Sequence, residues 1–178
     1  MLLTEQQSDR FFSVYLPLLF FSINEIQNVE LEEFFEAGPE LQIPARDLLM
    51  EHRELVDHYI REISALGPVE EEKISLLEEI KQARFSDFIV VESGGLVYYV
   101  DYRKNNRIYE ITGLASDPRE MYPVFPCRAR SALMQLDGRI ISDGLVVCQP
   151  VKFPKNAVKA IMRDFEAEFE EKIKFSLR

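Results

Sequence analysis

The residues of this chain whose types could do chemistry are two histidines, two cysteines and a set of arginines interleaved with tyrosines. His52 and His58 fall on one stretch of helical periodicity, where six residues place them about 240° apart, so they cannot chelate one metal from that helix. His58 has Glu54 and Glu62 at i±4, which favour its charged form and make it a surface ion-pair member. His52 falls within the apolar stripe. Its plain reading is structural; its chemical reading is a hydrolase centre in a groove between the two halves of the chain. Cys127 has Arg128 beside it, yet the second half contains no histidine to serve as a base, so a cysteine nucleophile is not supported. Cys127 and Cys148 read instead as reduced, partly buried thiols in strand-like segments, and neither belongs to a Cys-x-x-Cys motif. Asp101, Asp137 and Asp143 could in principle converge as a carboxylate metal site. Asp137 and Asp143 precede glycines, where turn geometry alone selects aspartate. No metal and no cofactor is expected, since Gly-x-Gly-x-x-Gly, Walker, Gly-x-Ser-x-Gly and His-Glu-x-x-His patterns are all missing.

Two basic neighbourhoods remain. Tyr98, Tyr99, Tyr102, Arg103, Lys104, Arg107 and Tyr109 form an aromatic and basic hairpin that either stacks bases and contacts phosphates or packs a sheet under a soluble turn. Arg128, Arg130 and Arg139 form a second cluster at the base of a later hairpin, suited to an acidic peptide or to the acidic face of the last helix. Lys+Arg is 21 and Asp+Glu is 31, so 21 − 31 = −10, a balance that opposes nucleic acid and anionic lipid unless a basic face is segregated. The leading reading is a non-enzymatic module that binds a protein or peptide, with self-association open; candidate binding residues are Tyr102, Arg103, Lys104, Arg107, Arg128, Arg130, Arg139 and His52. The hydrolase around His52 and single-stranded nucleic-acid binding through the Tyr98–Tyr109 hairpin are the alternatives.

These residues need elements to hold them. With 178 residues and 47% hydrophobic content, the chain can bury a sizeable core without disulfides or a structural metal. Thr4 and Gln7 have capping-box spacing ahead of Phe11, Phe12, Val14, Tyr15, Leu18 and Leu19, a helix apolar almost all round that Pro17 should kink. Such a helix must be covered on several sides and so forms the centre of the first half. A short acidic helix from Leu31 to Phe35 ends at Gly38-Pro39. Pro44 then opens an amphipathic helix with Ala45, Leu48, Leu49, His52, Leu55, Val56, Tyr59, Ile60 and Ile63 on one stripe. A third runs from Val69 to about Arg84.

Beyond Arg84 the texture changes to short apolar runs separated by Gly, Asn and Asp turns. Strands are expected at Phe88 to Val91, Leu96 to Tyr102, Arg107 to Thr112, Arg128 to Leu136 and Arg139 to Cys148. Asp137-Gly138 gives a type I′ hairpin, and Gly144 marks a bulge within the last strand. A bare five-stranded sheet has two open edges, so it should curl into a small, partly open barrel or be covered by helices. A helix from Pro154 to Phe175 closes the chain; Val158, Ile161, Phe165, Phe169 and Ile173 line it, and Glu168-Lys172 and Glu170-Lys174 pair on its acidic side. The expected fold class is thus α+β: a helical region at 1–84 and a β-meander or barrel with a C-terminal helix at 85–178, packed as one unit. The Phe11 to Ile23 run is too short to span a bilayer and lacks the flanks of a secretory signal, so the protein reads as cytoplasmic.

The segments "LPLLFFSIN" (Leu16 to Asn24), "IYEITGLASDP" (Ile108 to Pro118) and "LMQLDGRIISDGL" (Leu133 to Leu145) resemble an uncharacterised family of small bacterial proteins. There the hairpin commonly reads like "LLPFKGKIIYDGL". The resemblance implies a bacterial origin and a helical N-terminal region followed by a β-rich one, and it implies no activity. Gln135-Leu136-Asp137 and Ser142 depart from the family's wording, so that turn is not carried over as a recognition site.

Overall fold

The computed structural model describes residues 1–104, 107–149 and 153–174, with only the backbone described for Lys104, Glu168 and 170–174. The expected Asn105-Asn106 turn and the Glu168-Lys172 and Glu170-Lys174 pairs lie outside the described residues. Two compact units are present: 4–83, and 84–178 together with 1–3.

The helical unit is built around α1 (Glu5–Asn24), opened by the capping box in which Gln7 N donates to Thr4 Oγ1 and Thr4 N to Gln7 Oε1. Pro17 lies inside this helix without ending it. Phe11, Val14, Tyr15, Leu18, Leu19 and Ile23 are all buried, because α1 packs against three further helices: α3 (Pro39–Glu51), α4 (Glu54–Leu66) and α5 (Glu71–Lys81). Each large side chain so buried contributes about 1.5–3 kcal/mol, which explains the nearly all-round apolarity of this segment. The short α2 (Leu31–Ala37) buries Phe34 and ends at Gly38, whose φ of +54° turns the chain into α3.

The amphipathic stretch expected as one helix from Pro44 is two helices, and this is a correction. Pro39 occupies the first turn, Pro44 lies inside α3, and the helix stops at His52, whose φ of −119° and ψ of 69° leave the helical region. Arg53 supplies the physical reason for the redirection. Its guanidinium donates to the carbonyls of Lys81, as a very short contact, and of Ala83 at 2.7 Å, so the chain turns to bring it to the end of α5. Periodicity ran on through the break because α3 and α4 bury faces of similar phase.

The second unit holds β1 (Arg84–Ser93), β2 (Leu96–Asp101), β3 (Arg107–Ile111), β4 (Cys127–Leu136), β5 (Arg139–Ser142), β6 (Val147–Gln149), α6 (Lys155–Lys172) and β7 (Ile173–Lys174). The first five strands are antiparallel in the order β5-β4-β1-β2-β3. The ten-residue β1 pairs with β4 through 84–90 and with β2 through 89–93, an offset that bends the sheet. Thr112 N then donates to Ile140 O at 2.8 Å, and Thr112 bridges Ile141 in parallel, so the end of β3 meets β5 and the sheet curls into a partly closed barrel. Its inside is filled by Phe88, Val90, Val97, Tyr99, Tyr109, Ile111, Ala129, Leu133 and Ile140, with Tyr122 reaching in after a short 3-10 turn at Pro118–Met121.

Strand alternation sends Val91, Tyr98, Val100 and Ile108 to the outer face, where Phe165 of α6, with Ile161, Met162 and Phe169, covers them. The last helix stops at Lys172 rather than Phe175. Ile173 is a strand residue, paired in parallel with Ile108 on the β3 edge that would otherwise stay open. Asp137 and Gly138 both have positive φ, as the type I′ turn requires. The strand expected over Arg139 to Cys148 is interrupted at Gly144, φ +79°, and both pieces, β5 and β6, pair with β4. Among the described residues no helix is long and apolar enough to cross a membrane.

Candidate functional site

Asp87 lies on the outer face of β1, at an odd position in phase with Ile89 and Val91. Its register partner on β4 is Arg130, and Arg128, two residues away, shares that face. Gln149 of β6 stands opposite Arg128, while Arg103 comes from the turn directly after β2. All four converge on one carboxylate. Oδ1 accepts from Arg130 Nε at 3.3 Å and Gln149 Nε2 at 3.0 Å; Oδ2 accepts from Arg103 and Arg128, each at 3.2 Å.

Asp87 is 8% exposed, whereas the three guanidiniums are between 39% and 66% exposed. Burial pushes the carboxyl group's pKa up, but Arg130 and Arg128 more than offset this and hold it below its ordinary value. Three guanidiniums thus gather on one carboxylate, on a chain whose formal charge is −10. The Arg130 guanidinium also lies 5.9 Å from the Phe85 ring centroid, which fixes its plane. Arg103 is positioned from behind: Asp101, fully buried, accepts from the backbone N–H of Arg103 through Oδ1 and from Arg84 Nε at 2.7 Å through Oδ2. Chemically the arrangement offers forked N–H donors held apart on a rigid sheet, the geometry that carboxylates and phosphates accept from.

The other candidate residues are distributed as follows. Arg107 is the register partner of Asp101, at the barrel end rather than on the Asp87 face. Arg139 pairs in register with Leu136, six residues along β4 from Arg130 and so about 20 Å away, and its guanidinium points to the Leu2 carbonyl. The Arg128, Arg130 and Arg139 grouping is therefore divided, with Arg103 taking the third place. Tyr102 is 45% exposed beside Arg103, and Lys104 is described by its backbone alone. Tyr98, Tyr99 and Tyr109 are buried: the first packs on Phe165 and Phe169, the other two against Phe88 inside the barrel. The stacking platform considered for this hairpin thus has its rings turned into two cores.

His52 is an exposed residue at the end of α3, its Nδ1 3.1 Å from Glu54 Oε1, and it leaves the apolar stripe because the helix breaks there. His58 lies near Glu62 at 3.6 Å and Glu25 at 3.8 Å, with Phe21 against its ring; Glu54, expected beside it, is taken by His52. Asp101, Asp137 and Asp143 stand at separate places, and among the described residues no group of three His, Cys, Asp or Glu could hold a metal. Asp143 is buried and accepts from Ser131 Oγ at 3.0 Å and Leu145 N at 3.3 Å, so it pins the break between β5 and β6. Cys127 and Cys148 are both free, and burial pushes the Cys127 thiol up to about 12.

Asp87 and Gln149 are the members of this cluster that sequence reasoning missed. The available signal was Arg128 and Arg130 at i, i+2 on a strand, which places two cations on one face and calls for a facing acid on the neighbouring strand. No family model, no curated protein and no solved structure matches the chain.

Proposed function

We propose that this protein is a non-enzymatic binding module whose Asp87 face receives an acidic segment of a partner protein or peptide. The observation that carries the reading is the convergence of Arg103, Arg128 and Arg130 on one carboxylate, three partly exposed guanidiniums gathered on an otherwise acidic chain. Asp87 holds the guanidiniums in place, so a carboxylate-rich segment meets them with little reordering. The rest of the acidic surface steers such a segment to this face alone. Free thiols fit a cytoplasmic setting, and the likeness to small bacterial proteins fits a bacterial one.

The test is fluorescence anisotropy of a labelled oligo-glutamate peptide titrated with the full chain at low salt. Binding should weaken roughly tenfold for each of Arg128→Ala and Arg130→Ala, as one charge-assisted hydrogen bond predicts, and should weaken with added salt. Arg139→Ala, remote from the face, should leave it unchanged. The reading fails if the wild type does not bind the peptide, if all three variants bind alike, or if a single-stranded oligonucleotide binds in preference to the peptide.

A further inference from the structure

β6 is only three residues long and belongs to two neighbourhoods at once. Gln149 contributes to the Asp87 cluster, while Cys148, the residue before it, points to the opposite side of the sheet. Register places Cys148 opposite Ala129 on β4, and Cys127 lies two residues along β4 on the same side as Ala129. The two cysteines are diagonal neighbours across adjacent strands, on one side of the sheet. Both are free, Cys127 buried and Cys148 exposed. An accessible thiol diagonal to a sheltered one is the arrangement of an attacking and a resolving cysteine.

We infer that Cys148 and Cys127 are a thiol–disulfide exchange pair, in which Cys148 takes up a mixed disulfide from a small-molecule disulfide and Cys127 resolves it. Cys148 loses its proton and its sulfur attacks one sulfur of the reagent disulfide. That S–S bond breaks, and the departing thiolate takes up a proton. Cys127, deprotonated in turn, then attacks the Cys148 sulfur, forming the Cys127–Cys148 bond and releasing the second reagent thiol. The protein loses two hydrogens and two electrons, and one reagent disulfide becomes two thiols.

Diagonal Cα atoms on paired strands lie about 7–8 Å apart, and a disulfide closes at about 4.4–6.8 Å, so one strand must shift by roughly 1 Å. β6 is the one able to move, since β4 is fixed by β1 along its whole first half. Gln149 travels with it, so oxidation loosens its bond to Asp87. Burial raises the pKa of both thiols, which keeps them protonated near neutrality and makes exchange slow there and faster as pH rises. None of this depends on what the arginine face binds.

The test is incubation of the folded full chain with oxidised glutathione at mildly alkaline pH, followed by intact-mass and peptide mapping. The wild type should lose two hydrogens and yield a linked peptide pair containing Cys127 and Cys148, reversed by reductant. Cys127→Ser should stop at a single glutathione adduct on Cys148, and Cys148→Ser should remain unmodified. Should Cys127→Ser fail to fold, timed alkylation of the wild type gives the same order, with Cys148 blocked first and Cys127 protected. A persistent adduct on wild-type Cys148, a covalent dimer, a link formed only in denaturant, or no modification at all overturns the inference.

Discussion

Asp87 and Arg130 are register partners on β1 and β4, and the Arg130 Nε donates to the Asp87 carboxylate at 3.3 Å. That pair fixes the centre of the basic face, because every other member reaches the same carboxylate from a different element: Arg128 from β4, Arg103 from the turn after β2, Gln149 from β6. The site thus depends on correct pairing of the strands that present it.

Asp87→Asn should lower stability by about 1–2 kcal/mol at neutral pH, at the low end for charge-assisted bonds because all three guanidiniums are well exposed. The carboxyl's pKa is depressed in the fold, so its contribution is present above the unfolded value near about 4 and is lost as pH falls through the lowered folded value. Urea unfolding of both proteins between neutral and acid pH checks this: the two stability curves should converge on the acid side. Parallel curves would contradict the assigned role.

Gly113 anchors the first residues of the chain to the barrel, its N–H donating to the Met1 carbonyl and its own carbonyl accepting from Leu3 N, both at 2.9 Å. A Cβ at this position would run into the backbone carbonyl of Ser116 and come within 2.7 Å of Leu2 Cδ2 and 2.8 Å of Pro118 Cδ. Gly113→Ala should therefore cost about 2 kcal/mol, because the carbonyl belongs to a tight turn and cannot yield as a flexible side chain would. Thermal unfolding of the variant, with Gly138→Ala as the comparison for a glycine needed for its φ and not for space, measures it.

Much of the β-region was legible because its signals are local. Asp137-Gly138 specifies its own turn, and the apolar runs at Phe88 to Val91 and Leu96 to Tyr102 mark strands, while both faces of those strands are apolar, so which one lines the barrel is set by the packing. What was not legible depends on partners distant in sequence. His52 continues the apolar period of its neighbours, and only the carbonyls of Lys81 and Ala83, reached by Arg53, reveal why the helix stops there. Asp87 is ordinary within its own strand. Its meaning comes from Arg130, Arg128 and Gln149, which strand pairing brings to it from some forty to sixty positions further along the chain.

Arg53→Ala should destabilise the helical unit by about 2 kcal/mol, since two main-chain carbonyls at the end of α5 lose a charged donor. Arg53→Lys should recover only part of the loss, because an ammonium lacks the planar fork that reaches both carbonyls. Denaturant midpoints of the three proteins test the ranking, and equal midpoints for the Ala and Lys variants would show that the fork is not what matters.

Tyr122 and Tyr99 share a very short hydroxyl–hydroxyl contact inside the barrel, and burial, the leading cause for both, raises the pKa of Tyr122 and holds that of Tyr99 at about 12. The neutral phenols are favoured in the fold, so their contribution is complete below the unfolded value near about 10 and is lost above it, where the unfolded chain ionises and the native one does not. Each such tyrosine adds roughly 1 kcal/mol of stability loss per pH unit above that value. Tyr122→Phe removes one of them. It should cost about 1 kcal/mol at neutral pH, the worth of one ordinary hydrogen bond, yet should show a shallower fall in stability from pH about 10 upward. Urea unfolding of wild type and variant across that alkaline range distinguishes the two slopes, and identical slopes would mean that the Tyr122 hydroxyl ionises as readily in the barrel as in the open chain.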